Sequence, residues 1–132
     1  MKDNISDMLT RIRNGQKASL LEVLLFWPTP SICLKILIVL QREGFIRGFK
    51  KVFVNDKQYI CVLLKYTTFQ MPLITKIERI SKPGKRVYCR VNNFWKINNG
   101  KGIFIISTPK GLMTEMHARQ LSLGGEILCY IE

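Results

Sequence analysis

The sequence predicts an α+β protein. A helix-strand-helix-meander lobe at residues 1–80 is expected to pack on a mainly β lobe at residues 81–132 that carries one short helix. Three observations lead there. Ile5, Met8, Leu9 and Ile12 recur at helical spacing near the start. Asn55-Asp56-Lys57 separates two apolar runs of strand length. The last third sets short apolar runs between Pro- and Gly-containing turns.

Composition narrows the class. A chain of 132 residues, 47% hydrophobic, holds one domain or two small lobes and is no disordered tail. Against 9 acidic residues stand 21 Lys and Arg, a net charge of +12. A folded chain this basic meets a polyanion, either nucleic acid or an anionic membrane face. The cations run from Lys2 to Arg119, which suits a folded surface better than a basic arm. Cys33, Cys61, Cys89 and Cys129 form no CxxC pair and each sits in an apolar run. They read as reduced, buried small hydrophobes, so no metal site and no disulfide framework are expected. Asp3 and Asp7 fall where targeting segments avoid acid, so no signal or transit peptide is expected. Glu22, Pro28, Pro30 and Lys35 interrupt the apolar region Leu20 to Leu40, which excludes a helical membrane span.

The elements follow in order. Asp3 to Gln16 is a helix, capped by Asp3 or Asn4 and ended by Gly15. Leu20 to Trp27 is a covered strand, stopped by Pro28-Thr29-Pro30. Thr29 is placed to cap a second helix with Pro30 in its first turn; that helix runs to Glu43, and Gly44 closes it. It is apolar nearly all round, so it is buried on more than one side or packs on a partner protein. Phe45–Val54 and Tyr59–Tyr66 pair as strands, and the lysines of Phe49-Lys50-Lys51 mark an edge. A third meander strand is expected at Leu73–Ile80 after Pro72. Ser81-Lys82-Pro83-Gly84-Lys85-Arg86 is the lobe boundary. Val87–Val91 is a strand, Asn92–Asn99 a short turn or loop holding Phe94 and Trp95, and Ile103–Ile106 a buried strand. Thr114 caps a short helix, and Gly124-Gly125-Glu126 enters a last strand, Ile127–Ile131.

The chemistry gathers at Ser107-Thr108-Pro109-Lys110-Gly111. Two hydroxyls, one phosphate-seeking cation and a glycine that lets backbone approach a ligand suit binding. No general base adjoins the hydroxyls, paired carboxylates are absent from the sequence pattern, and His117 reads as a surface residue. No enzyme, cofactor or small-molecule substrate is indicated. An ordinary strand-to-helix turn is the plain alternative for this stretch.

Several separated strings resemble one family. Asp7-Met8-Leu9-Thr10-Arg11-Ile12-Arg13-Asn14-Gly15-Gln16 resembles the opening helix of the bacterial-type protein eight of the small ribosomal subunit. Glu43-Gly44-Phe45-Ile46 resembles the end of its second helix. Arg79-Ile80-Ser81-Lys82-Pro83-Gly84 with Arg86-Val87-Tyr88 resembles its interlobe turn. Gly102-Ile103, Ser107-Thr108, Lys110-Gly111, Met113-Thr114, Ala118-Arg119 and the run Leu123 to Tyr130 resemble its C-terminal signature. The strings keep their order from Asp3 to Ile131.

The resemblance implies a structural constituent of the small subunit that binds the central domain of its ribosomal RNA early in assembly, beside neighbouring ribosomal proteins. The C-terminal lobe is expected against an RNA minor groove, whose 2′-hydroxyls suit small polar residues and backbone amides. Ser107 and Thr108 are expected at base edges or riboses, with Gly111 permitting the approach and Tyr88 beside them. Gly124, Gly125 and Glu126 line the same surface. Glu126 accepts from base amino groups or organises Ser and Thr hydroxyls. Lys82, Lys85, Arg86 and Lys110 meet phosphates, and Arg11, Arg13 and Asn14 make a second contact. Departures stand out: Pro109 replaces the usual Ser, Pro28-Thr29-Pro30-Ser31 lacks a cation, and Lys35 to Ile38 are bulkier than the usual Ala-rich helix.

The alternative function is a free RNA-binding regulator, a messenger repressor that uses the same surface. An anionic-membrane peripheral protein ranks far below, since the cations form no amphipathic basic helix. Ala occurs only at 18 and 118 while Ile, Lys, Phe and Asn are abundant, a bias that AT-rich genomes produce. The composition ranks a mitochondrial ribosome above a plastid or a bacterial cytoplasm.

Overall fold

The computed structural model describes residues 3–26, 28–94 and 100–132. They fall into two compact units, residues 4–75 and residues 76–132 together with Asp3.

In the first unit, α1 (Asn4–Lys17) buries Ile5, Met8, Leu9 and Ile12, the face that the periodicity marks. Gly15 does not end it. The helix closes at Ser19, whose φ of 58° is left-handed. Leu20 N–H donates to Gly15 O at 3.0 Å and Ser19 N–H to Gln16 O at 3.2 Å, the paired bonds of a Schellman closure. Gly15 is instead buried, where a Cβ would press on Val23 and Leu64. The buried Gln16 amide is satisfied: its Oε1 accepts from Ile74 N at 3.2 Å and its Nε2 donates to Lys65 O at 3.4 Å.

The covered strand expected at Leu20–Trp27 is corrected. Only Glu22–Leu24 (β1) is strand, and Leu21 is 71% exposed. β1 pairs with one neighbour at a sheet edge, and an apolar run does not by itself distinguish edge from centre. Trp27 lies outside the described residues. Thr29 does not cap α2 (Ser31–Arg42): its hydroxyl donates to Phe26 O at 2.8 Å, and the cap position falls to Pro30. Gly44, with φ 80°, ends α2 as expected, with Phe45 N–H donating to Leu40 O at 2.9 Å. α2 buries Cys33, Ile36, Leu37, Val39 and Leu40 and leaves Ile38 exposed.

β2 (Ile46–Val54) and β3 (Lys57–Leu64) form a hairpin across Asn55-Asp56, whose φ values of 49° and 64° are those of a type I′ turn. The sheet order is β1-β3-β2, so β2 is the edge that its lysines mark. The expected third meander strand is absent from this sheet. Residues 77–79 form β4 (Ile77–Arg79), which pairs with the last strand of the second unit. The segment Leu73–Ile80 therefore divides its buried residues, Ile74 in the first unit and Ile77 in the second.

The second unit is built on its final strand. β8 (Gly125–Ile131) pairs along one edge with β4 and then β5 (Tyr88–Cys89), and along the other with β6 (Ile103–Thr108). β7 (Gly111–Thr114) closes the outer side against β6. The binding loop expected at Ser107–Gly111, whose plain alternative was a strand-to-helix turn, is a β-hairpin. Ser107 and Thr108 end β6, Pro109-Lys110 turn, and Gly111 begins β7. α3 (Glu115–Gln120) follows, and Thr114 caps it as expected, accepting from His117 N–H at 3.2 Å. A short 3-10 turn at Val91–Asn93 positions buried Phe94. The rest of the expected turn, with Trp95, lies outside the described residues. Phe94, Ile106, Met113, Ala118 and Ile127 make the core under one sheet face. The turn Lys82-Pro83-Gly84-Lys85 lies within this unit, between β4 and β5, closed by reciprocal 3.0 Å bonds between Lys82 and Lys85.

Candidate nucleic-acid interface

Strand register sets the site. Residues directly paired across antiparallel strands project from the same sheet face. Tyr88 pairs with Glu126, Glu126 with Ser107, and Ser107 with Leu112. These four make one row on the face opposite the Ile106–Ile127–Met113 core row. Tyr88 is 70% exposed, and Ser107 is half-buried. Thr108 projects the other way, because side chains alternate along a strand. It is buried, its hydroxyl donates to Gly111 O at 2.8 Å, and Lys110 N–H donates to that hydroxyl at 3.2 Å. Of the two adjacent hydroxyls, Ser107 is on the open row and Thr108 braces the hairpin.

The two glycines beside this row are set by close backbone approach. A Cβ on Gly125 would run into the Ser107 carbonyl, and one on Gly124 would lie 2.8 Å from Cys89 O. Gly111 differs: its φ of 116° requires glycine, and nothing lies near where a Cβ would stand. The tip formed by Pro109, Lys110 and Gly111 is exposed.

Glu126 is held by a buried serine that the residue pattern did not single out. Ser81 is fully buried; its hydroxyl donates to Glu126 Oε2 and accepts from Val87 N–H at 3.2 Å. Arg86 donates to the same Oε2 at 3.0 Å. Burial pushes the Glu126 carboxyl up, but the bonds from Ser81 and Arg86 and the charges of Arg86 and Arg79 outweigh it. The carboxyl ends below its ordinary value. Glu126 is thus an ionised organiser of a hydroxyl and a guanidinium. Arg79 was missed as well. It is nearly buried, ion-paired with Asp3 at 3.3 Å, and its Nη1 donates to Leu128 O at 2.6 Å. A polar or charged residue two or four positions before Pro83-Gly84 is the only signal the sequence offers for either.

The second unit therefore assembles Tyr88, Ser107, Thr108, Lys110, Gly111, Gly124, Gly125 and Glu126 on contiguous strands. Arg86 joins them through Glu126, and Lys82 and Lys85 lie on the exposed turn just before it. Arg11, Arg13 and Asn14 belong to the first unit. Arg11 is engaged there: its Nε lies 3.5 Å from Asp7, its Nη1 donates to Leu24 O at 3.2 Å, and it stands 5.7 Å over the Phe26 ring. Among the described residues, no cluster of His, Cys, Asp and Glu suits a metal ion, and no helix is long and apolar enough to cross a membrane.

The sequence profile described as ribosomal protein S8 matches residues 3–131, nearly the whole chain. The chain belongs to the ribosomal protein S8 family. Small ribosomal subunit protein uS8c of Phaeodactylum tricornutum is 45% identical over 134 residues, covering 99% of this chain and 98% of that protein. Small ribosomal subunit protein uS8 of Agrobacterium fabrum is 46% identical and that of Azoarcus sp. 44%, with the same coverage. The family is one of structural ribosomal components, not enzymes. These relatives carry the names uS8c and uS8, and they do not favour the mitochondrion over a plastid or a bacterium.

Proposed function

We propose that this chain is a structural constituent of the small ribosomal subunit that binds the central domain of the subunit's ribosomal RNA and helps it assemble. The observation that carries the reading is the row Tyr88–Glu126–Ser107, which continues to Leu112 beside the open Lys110-Gly111 tip. An exposed aromatic, a hydroxyl on a rigid strand and a glycine-permitted backbone approach suit the wide, shallow minor groove of A-form RNA. Lys82, Lys85 and Lys110 supply phosphate contacts that set orientation without reading sequence. Glu126 keeps its negative charge inside the protein by binding Ser81 and Arg86, so it holds the row in place beside a polyanion. Arg13 and Asn14 of α1, with Arg11 braced beside them, make a second contact. Neighbouring ribosomal proteins are the remaining partners.

The scarcity of Ala, at positions 18 and 118 only, supports an AT-rich genome, and on composition a mitochondrial ribosome ranks above a plastid or a bacterium. Sedimentation tests the function. The tagged chain is expected in the small-subunit peak of a salt-washed gradient. A chain found only in free fractions, bound to a messenger, would transfer the same surface to a regulator.

A further inference from the structure

The β2–β3 hairpin carries a feature that neither the core nor the row in the second unit uses. Phe53 is 69% exposed and Val54 is exposed beside it, next to the two-residue turn Asn55-Asp56. Residues 46–64 hold four cations, Arg47, Lys50, Lys51 and Lys57, against one carboxylate, Asp56. Lysines on an edge strand discourage unwanted pairing, but that does not account for a bare phenyl ring among them. By alternation, Phe53 and Lys51 share a face, and Gln58 and Ile60 stand across from them in register. Gln58 and Ile60 also line a depression of about 260 Å³ with Pro28, Thr29 and Leu34. The face thus offers an aromatic plane, a flanking cation and a recess with polar groups.

We propose that the tip of this hairpin is a second RNA-binding site, at which an unpaired nucleotide of the ribosomal RNA stacks on Phe53 while Lys51, on the same face, contacts a flanking phosphate. Charge complementarity selects RNA as the occupant: a protein socket for Phe53 has no need of the surrounding cations, whereas a single-stranded polyanion uses both. Stacking on an aromatic ring tolerates any base, so the site anchors the strand and does not read it. The inference rests on the proposed function, since it requires ribosomal RNA as a partner.

The test is binding of the full-length chain to a transcript of its own small-subunit RNA across a salt series, with four proteins compared. Phe53→Ala is expected to weaken binding about tenfold. Phe53→Tyr, which keeps the ring, is expected to bind within about twofold of the parent. Lys51→Gln is expected to flatten the log–log salt slope by about 0.7. In parallel, an iron chelate tethered at Asn55→Cys should cleave a segment of the RNA away from the one that Ser107→Ala alters. Phe53, Lys51 and Asn55 are exposed, and only the Asn55 change, at a φ of 49°, adds backbone strain, so the fold is expected to tolerate the changes. Parental binding by Phe53→Ala, or tethered cleavage spread evenly along the RNA, overturns the hairpin site and leaves the function standing. Failure of the parent chain to bind the transcript overturns both.

Discussion

Ser81→Ala is the most informative single change to the second unit. It removes one oxygen that no solvent reaches and that serves two partners. Glu126 loses a donor to a carboxylate, a kind of bond worth about 1.5–3 kcal/mol, and Val87 N–H, 3.2 Å from that oxygen, loses its acceptor. Adding part of the orphaned N–H cost gives a destabilisation of about 3 kcal/mol. The assay is urea unfolding followed by circular dichroism, compared at equal slope. The effect also has a pH signature. The folded Glu126 carboxyl lies below its ordinary value, so its contribution is fully present above that value and is lost as pH falls through the folded one. The parent should therefore lose stability on acidification through that window, and Ser81→Ala should lose less. A variant within about 0.5 kcal/mol of the parent, with an unchanged acid limb, would refute the view of Ser81 as the anchor of Glu126.

Other outcomes follow from the same geometry. Gly125→Ala drives a methyl into the Ser107 carbonyl and should cost about 3 kcal/mol or abolish folding, read as the thermal midpoint; Gly111→Ala meets only backbone strain and should cost about 1 kcal/mol. Arg79→Gln removes the ion pair with Asp3 and one of the two donors to the Leu128 carbonyl, which keeps the Ile80 N–H, and should cost about 2 kcal/mol in the same unfolding assay. The Cys129 thiol is fully buried and pushed up to about 12 by that burial, so it should resist alkylation at pH 8 in the native protein and react at once in urea.

Much of the fold was legible because local signals agreed with it. α1 showed a clean 3.6-residue stripe, Gly44 ended α2, and Asn55-Asp56 turned a hairpin. The failures have a common cause in long-range pairing. Leu20–Trp27 reads as a strand from its apolarity, and Leu73–Ile80 from its place after Pro72. Whether such a run becomes a central strand, an edge of three residues or a strand of the other unit depends on a partner distant in sequence. Ser107-Thr108 was legible as chemistry but misassigned as a loop. Once both residues lie in β6, alternation sends Thr108 inward and leaves Ser107 on the row with Glu126 and Tyr88. Ser81 and Arg79 carry no motif of their own. Their roles exist only because β4 and β8 bring residues 79–81 beside residues 126–128.

The central claim is that the Tyr88–Glu126–Ser107 row recognises ribosomal RNA and that charge alone does not. It is tested most directly by titrating the chain with its own central-domain RNA fragment and with an unrelated duplex, from low to high salt. The comparison variant is Ser107→Ala with Tyr88→Ala, which spares the hydroxyl of Thr108 that braces the hairpin. The account predicts preferential binding to the fragment, lost by at least about tenfold in the variant at an unchanged salt slope. Equal affinity for both RNAs, indifferent to the variant, would contradict it and leave the net charge as the whole source of binding.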